Sequence, residues 1–199
     1  MPNVPNYNDL QRQQRIALDN NSSYKAVMQR LGNPQAVLYN PIVETTRVFN
    51  AAGALIAAVA GNIPLFWVQN QTAVTAVSFA SDNSITSIGT GAFYGTSITS
   101  AIIPMGVTTL GGQSFSFCTS LTSVTIPSSV TRIDELVFGA CTNLSAVNCF
   151  TTRTAFTNFA VFNGTASPLT IRVRESDGTW TAGNQSFQGN ANVNVIKNL

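Results

Sequence analysis

The sequence predicts a mainly β fold, a short solenoid of stacked coils with irregular caps, preceded by a partly helical N-terminal segment. Two observations predict it. The first is a tandem repeat: SITSIGTGAFYGTSITSAIIP (84–104), GVTTLGGQSFSFCTSLTSVTIP (106–127) and SVTRIDELVFGACTNLSAVNCF (129–150) align so that Phe93, Phe115 and Phe138 fall in register. Ile88, Leu110 and Ile133 keep the same steps of 22 and 23, while Ile98, Leu121 and Leu144, like Ala101, Val124 and Val147, are spaced 23 and 23. A unit of roughly 22 residues cannot bury its own apolar side chains, so successive units must lie on one another and share an elongated core. The second is composition. The chain is 44% hydrophobic but only 9% charged. Its polarity comes from Asn, Ser, Thr and Gln, which suit β-rich surfaces and extracellular or virion proteins.

In chain order, residues 1–35 read as partly helical. Asn6 or Asn8 can cap a helix reaching about Ala17, and Ser22 or Ser23 a second ending at Leu31, where Gly32 and Pro34 stop it. Their apolar faces are thin, so such helices need something to dock on. Residues 36–71 read as short strands and turns leading into the solenoid. Within them VFNAAGALIAAV (48–59) predicts two strands around an Asn-Ala-Ala-Gly turn. The apolar stretch 51–68 contains Gly53, Gly61, Asn62 and Pro64, which would interrupt a membrane helix, so it is read as buried β structure and not as a span.

AVTAVSF (73–79) reads as a half repeat, with Val74, Val77 and Phe79 lying 24 residues before Ile98, Ala101 and Ile103. The regular array is thus expected from about Val74 to Phe150. Residues 155–173 read as a degenerate last coil, and the tail, with Trp180, Phe187, Val193, Val195 and Ile196, as the closure of the open end. The resulting division is 1–71 as an anchoring or capping region, 72–150 as the solenoid, and 151–199 as last coil and C-terminal cap.

Charge and reactive groups narrow the function. The net charge of +2 is spread along the chain, with no basic stripe to neutralise a phosphate backbone, so nucleic acid is not an expected partner. There is no histidine, which removes Ser-His-Asp and Cys-His catalysis and His-containing metal sites. Asp134 and Glu135 are neighbours in a loop and would point apart, and Asp82, Glu175 and Asp177 are isolated. GTGAFYG (89–95) misses the dinucleotide fingerprint, and Gly89 and Gly91 fall where a coil turns a corner, with Gly111 and Gly112 at the places of residues 89 and 90. No catalytic residue, metal or cofactor is expected.

Of the three cysteines, Cys118 and Cys141 occupy equivalent positions on neighbouring coils, about 4.8 Å apart along the stack. A disulfide between them is sterically open. The favoured reading is a pair of small apolar thiols filling the ladder position that Thr96 fills one coil earlier. The amino terminus, MPNVPNYNDLQRQQR, lacks the apolar run of a secretory signal, so classical export is not expected.

Written as LxxVxIPxxVTxIxxxxFxxC, the repeat resembles the BspA-like leucine-rich repeats. LTSVTIPSSVTRIDELVFGACTNL (121–144) and SITSIGTGAF (84–93) match best, and the resemblance covers about residues 72–199. Departures are a missing residue between Phe93 and Ile98, Ala101 in place of a branched aliphatic, and Cys149 with Phe150 in place of Ile-Pro. The resemblance implies a small parallel sheet along one side of the solenoid, an adhesive role and no catalytic chemistry.

The candidate binding face follows from alternation. If Val124 and Ile126 point inward, Thr125 points outward, flanked by Thr122 and Ser123. The equivalent residues are Thr75, Ala76 and Ser78; Thr99, Ser100 and Ile102; and Ser145, Ala146 and Asn148. A flat hydroxyl face with Ile102 as an apolar spot is a docking surface for a host-surface protein or glycan, although Ser and Thr also suit any exposed strand. The leading expectation is a non-enzymatic virion part, a bacteriophage capsid decoration or head-fibre-like module held to a capsid or other virion protein through residues 1–70, with a homotrimer as one arrangement. The alternative is a microbial cell-surface adhesin.

Overall fold

The computed structural model describes residues 45–80, 83–156 and 160–199. The chain divides into Met1–Ile42 and Val43–Leu199, and the account concerns the second unit. The helices expected within residues 1–35 lie outside the described residues.

The predicted hairpin is present. Strands β1 (Thr45–Phe49) and β2 (Leu55–Ala60) pair antiparallel. The Asn50 side-chain carbonyl accepts from the amides of Ala52 (3.0 Å) and Ala54 (2.9 Å), and Gly53 supplies a φ of 78°. The sheet order is β2-β1-β3, with β3 (Ala76–Ser78) antiparallel to β1. The stretch expected to be buried is therefore in part an edge strand. Among the described residues only one side of β2 is paired, and Leu55 and Ala58 stay exposed while Ile56, Ala57 and Val59 pack on the core.

Each repeat contributes a two-residue strand to one sheet and a longer strand to another. The pairs are β4 (Ser87–Ile88) with β5 (Ser100–Ile102), β6 (Thr109–Leu110) with β7 (Ser123–Ile126), and β8 (Arg132–Ile133) with β9 (Ala146–Cys149). A 3-10 turn at Arg153–Ala155 leads towards β10 (Leu169–Val173), followed by β11 (Gly183–Phe187) and β12 (Asn190–Lys197). The two sheets run β4-β6-β8 and β11-β12-β10-β9-β7-β5. Every neighbouring pair in them is parallel except β11 with β12. The tail thus adds β12 as a further parallel strand, and antiparallel β11 covers its edge.

The stacked core is the alignment made physical. Ala101, Val124, Val147, Ile171 and Val195 form one inward column, each at most 4% exposed. Phe93, Phe115, Phe138 and Phe162 stack at centroid separations of 5.1, 5.6 and 5.7 Å, with ring planes within 22° of parallel. Trp67 and Phe79 meet the first ring edge-on, and Phe156, Trp180 and Phe187 close the other end beneath the Arg153 guanidinium.

The bend between the two sheets uses two left-handed residues per coil. Phe66, Gly91, Gln113, Leu136 and Ala160 form one column of positive φ, and Asn70, Gly95, Phe117, Ala140 and Gly164 a second. Amides in these columns bond the next coil, as from Gly91 to Gly112 (3.0 Å), Gln113 to Glu135 (3.0 Å) and Phe117 to Gly139 (2.8 Å). Inter-coil hydrogen bonds of this kind offset the steric cost of a left-handed L-residue.

The same pattern shows a coil beginning at Ile63, which bridges Ile88 in parallel, earlier than the expected start at Val74. Pro64, Phe66 and Val68 stand there where the next coil has Gly89, Gly91 and Phe93, so the sequence alignment does not reveal it. Val74 is buried as expected and its carbonyl accepts from the Ser97 amide at 2.9 Å. Val77 and Phe79 are only partly buried, because β3 turns aside to pair with β1 instead of joining β5 in the six-stranded sheet.

Candidate functional site

The six-stranded sheet carries the outward residues in two columns. Ser100, Ser123, Ala146, Thr170 and Asn194 are in register in one, and Ile102, Thr125, Asn148, Arg172 and Ile196 in the other. Val124 and Ile126 are buried between them, so the alternation inferred for Thr125 holds. Ile102 is 56% exposed. The candidate residues are therefore on one face.

They are not chemically alike. Thr99, Thr122 and Ser145 lead into β5, β7 and β9, where the amide of Thr122 donates to the Thr99 carbonyl at 2.9 Å and that of Ser145 to the Thr122 carbonyl at 3.1 Å. The Thr122 hydroxyl also donates to the Thr99 carbonyl, at 3.0 Å, so it ties coil to coil. A matching ladder on the other sheet has the Thr108 hydroxyl on the Thr86 carbonyl at 3.1 Å. At its start the Asn62 side-chain carbonyl stands in for a preceding coil, accepting from the amide and hydroxyl of Thr86 at 2.7 and 3.0 Å. By contrast the side chains of Ser100, Ser123, Thr125, Ser145 and Asn148 make no hydrogen bond among the described residues. These five can offer donors and acceptors, and Ile102 an apolar contact, to an external ligand.

The other sequence features resolve as structural. Gly89 and Gly111 are needed because a Cβ at either would come within 2.7 Å of backbone on the preceding coil, while their amides bond the carbonyls of Ile63 (2.9 Å) and Ile88 (2.8 Å). Asp134 takes the Arg132 side chain at 2.7 Å. The Thr179 hydroxyl and amide hold the Asp177 carboxyl below its ordinary range. Among the described residues no group of three or more metal-type side chains converges, and no helix is long and apolar enough to cross a membrane.

All three cysteines are free and buried. The thiols of Cys118 and Cys141 donate to the carbonyls of Phe93 and Phe115 on the preceding coil, both at 3.0 Å, whereas the hydroxyls of Thr96 and Thr165, at the equivalent positions, donate within their own coils to Phe93 (2.9 Å) and Phe162 (2.8 Å). One ladder of small donors therefore runs through four coils. Burial pushes the Cys118 thiol up to about 11 and Cys149 up to about 12, and burial beside Cys118 raises Cys141 as well. None is a thiolate at neutral pH.

Parallel strands, one per coil, on a shared core of Leu, Ile, Val and Phe columns define a leucine-rich repeat solenoid, a protein-interaction fold. Residues 67–195 match the BspA type leucine rich repeat region in 6 copies, and the chain belongs to that family. The match extends the repeat to both sides of the three aligned segments, in agreement with the coil from Ile63 and the ladder through β12. No curated protein matches the chain. No solved structure matches it.

Proposed function

We propose that this chain is a non-enzymatic adhesion module displayed at a microbial cell surface, binding a surface molecule through the outward face of its six-stranded sheet. The observation that carries the reading is membership of the BspA-type repeat family. It is supported by the open polar face, where Ser100, Ser123, Thr125, Ser145 and Asn148 keep hydrogen-bonding capacity that the fold does not consume. In this proposal residues 1–71 anchor or cap the module, 72–150 form the repeat body and 151–199 close it.

Family membership supports the cell-surface reading over a virion part. The two separate by location. A producing culture is fractionated on a density gradient, and the chain is quantified by mass spectrometry against membrane markers and major capsid protein. Comigration with cell envelopes is expected. Fixed stoichiometry with intact virus particles would overturn the proposal and restore the capsid assignment.

A further inference from the structure

Phe66 and Phe117 are placed unlike the rest of the chain's bulky residues. Both sit in the left-handed columns, at φ 51° and 58°, and both rings are 51% exposed. The remaining members of those columns are glycines, Asn70, or side chains at least partly buried. A ring left half in water on strained backbone returns little to folding, which directs attention to a ligand.

A third ring, Tyr94, lies on the coil between them and meets that of Phe117. The Phe66 side chain lies over Gly91 of the next coil, where a Cβ would come within 2.4 Å of it. Tyr94 closes the turn from Gly91, with its amide on the Gly91 carbonyl at 3.1 Å, and its ring stands 5.2 Å from that of Phe117 on the following coil. The rings therefore step along the solenoid one per coil, on the bend between the sheets and away from the sheet face. Beside them the amide side chains of Gln69, Asn70 and Gln113 make no hydrogen bond among the described residues. Residues 48–80 and 83–131 contain no charged side chain at all.

We propose that Phe66, Tyr94 and Phe117 form a ridge that binds a neutral polysaccharide lying along the solenoid axis. Asp82 is the one charged residue between Val48 and Thr131, and Glu135 adjoins Gln113, so the few charges here are acidic: their sparseness suits a neutral ligand and an anionic one meets no counter-charge. A ring on each successive coil suits a polymer of repeating units, since a flat aromatic face packs on the apolar C–H face of a sugar ring. The three amides take the sugar hydroxyls. The inference rests on the adhesion reading only in expecting an external ligand, and it uses a different surface.

The test is titration calorimetry of the full chain with cellohexaose, mannohexaose and chitohexaose. Binding of at least one is expected, weakened on the order of tenfold or more by Phe66→Gly with Phe117→Asn. Gly91 and Asn70 already occupy those columns, so the double variant should keep or raise the midpoint of thermal unfolding. Ser128→Arg, at an exposed residue that belongs to neither surface, should leave the affinity unchanged. Binding of none of the three sugars, affinity indifferent to the ring substitutions, or a lowered unfolding midpoint in the double variant would overturn the proposal. So would a dimer of the wild-type chain that the same substitutions dissolve, which would make a second copy the occupant. Any of these failures leaves envelope location to be read separately on the gradient.

Discussion

Replacing Gly111 by Ala, with Gly112→Ala as its neighbour control, tests whether close approach of coils dictates the glycines at the corner. An ideal Cβ on Gly111 lies 2.7 Å from the Thr90 nitrogen, 2.9 Å from the Gly89 carbonyl carbon and 3.0 Å from the Ile88 oxygen, all backbone. To bring the shortest contact to an ordinary 3.4 Å, the two coils must part by about 0.7 Å. The 2.8 Å bond from the Gly111 amide to the Ile88 carbonyl would then stretch past hydrogen-bonding range. Losing that bond and loosening the packing costs about 2 kcal/mol. At Gly112 the nearest atom to a new Cβ is the Glu135 oxygen, at 3.5 Å, and φ is not positive. Gly112→Ala should instead stabilise by about 0.5 kcal/mol through the unfolded chain. Urea unfolding followed by far-ultraviolet circular dichroism should separate the variants by about 2.5 kcal/mol. Equal stabilities within about 0.5 kcal/mol would refute the close-approach argument.

Two further outcomes follow from buried polar groups. The Ser114 hydroxyl is fully buried with no hydrogen-bond partner among the described residues, at a position where other coils carry Ala92, Val137 and Val161. Ser114→Ala should therefore raise stability by about 1 kcal/mol, and a loss of that size in urea melts would show that the hydroxyl is satisfied. The thiols predict an alkaline limit. Cys118 and Cys149 are raised from 9.0 to about 11 and about 12, so above pH 9 the unfolded chain releases protons that the folded chain retains. The stability given by neutral buried thiols is complete below pH 9 and is lost as pH rises through 11 to 12. The urea midpoint should fall over that window, less steeply in Cys118→Thr with Cys141→Thr, and an identical slope in the variant would count against the thiols as its source.

Much of the candidate site was legible before any coordinates. Alternation alone puts Ser100, Ile102, Ser123, Thr125 and Asn148 outside, because Val124 and Ile126 have only one apolar side to face. It does not distinguish Thr122, whose hydroxyl is used between coils, from Thr125, whose hydroxyl is not. That difference depends on where the Thr99 carbonyl of another coil lies. The aromatic ridge gives no periodic signal either. Phe66 and Phe117 belong to different columns and Tyr94 to neither, so the meeting of Tyr94 with Phe117 depends on the stacking of their coils.

The sequence by itself determined the solenoid, its period and its inward columns. Identical units must bury identical positions, and Phe93, Phe115 and Phe138 record that directly. Tertiary structure decided where the stack begins and ends. Val68, buried with its amide on the Ala92 carbonyl, and Phe162, stacked on Phe138, extend the core column, although their surroundings no longer spell the repeat. It also decided that β3 pairs with β1, and that Gln113, Leu136 and Ala140 turn left-handed, a conformation their side chains do not announce. The Gln113 and Ala140 amides bond the carbonyls of Glu135 and Asn163 on the next coil, and β3 is held by a strand outside the repeats, so the cause lies in contacts between units and not within any one of them.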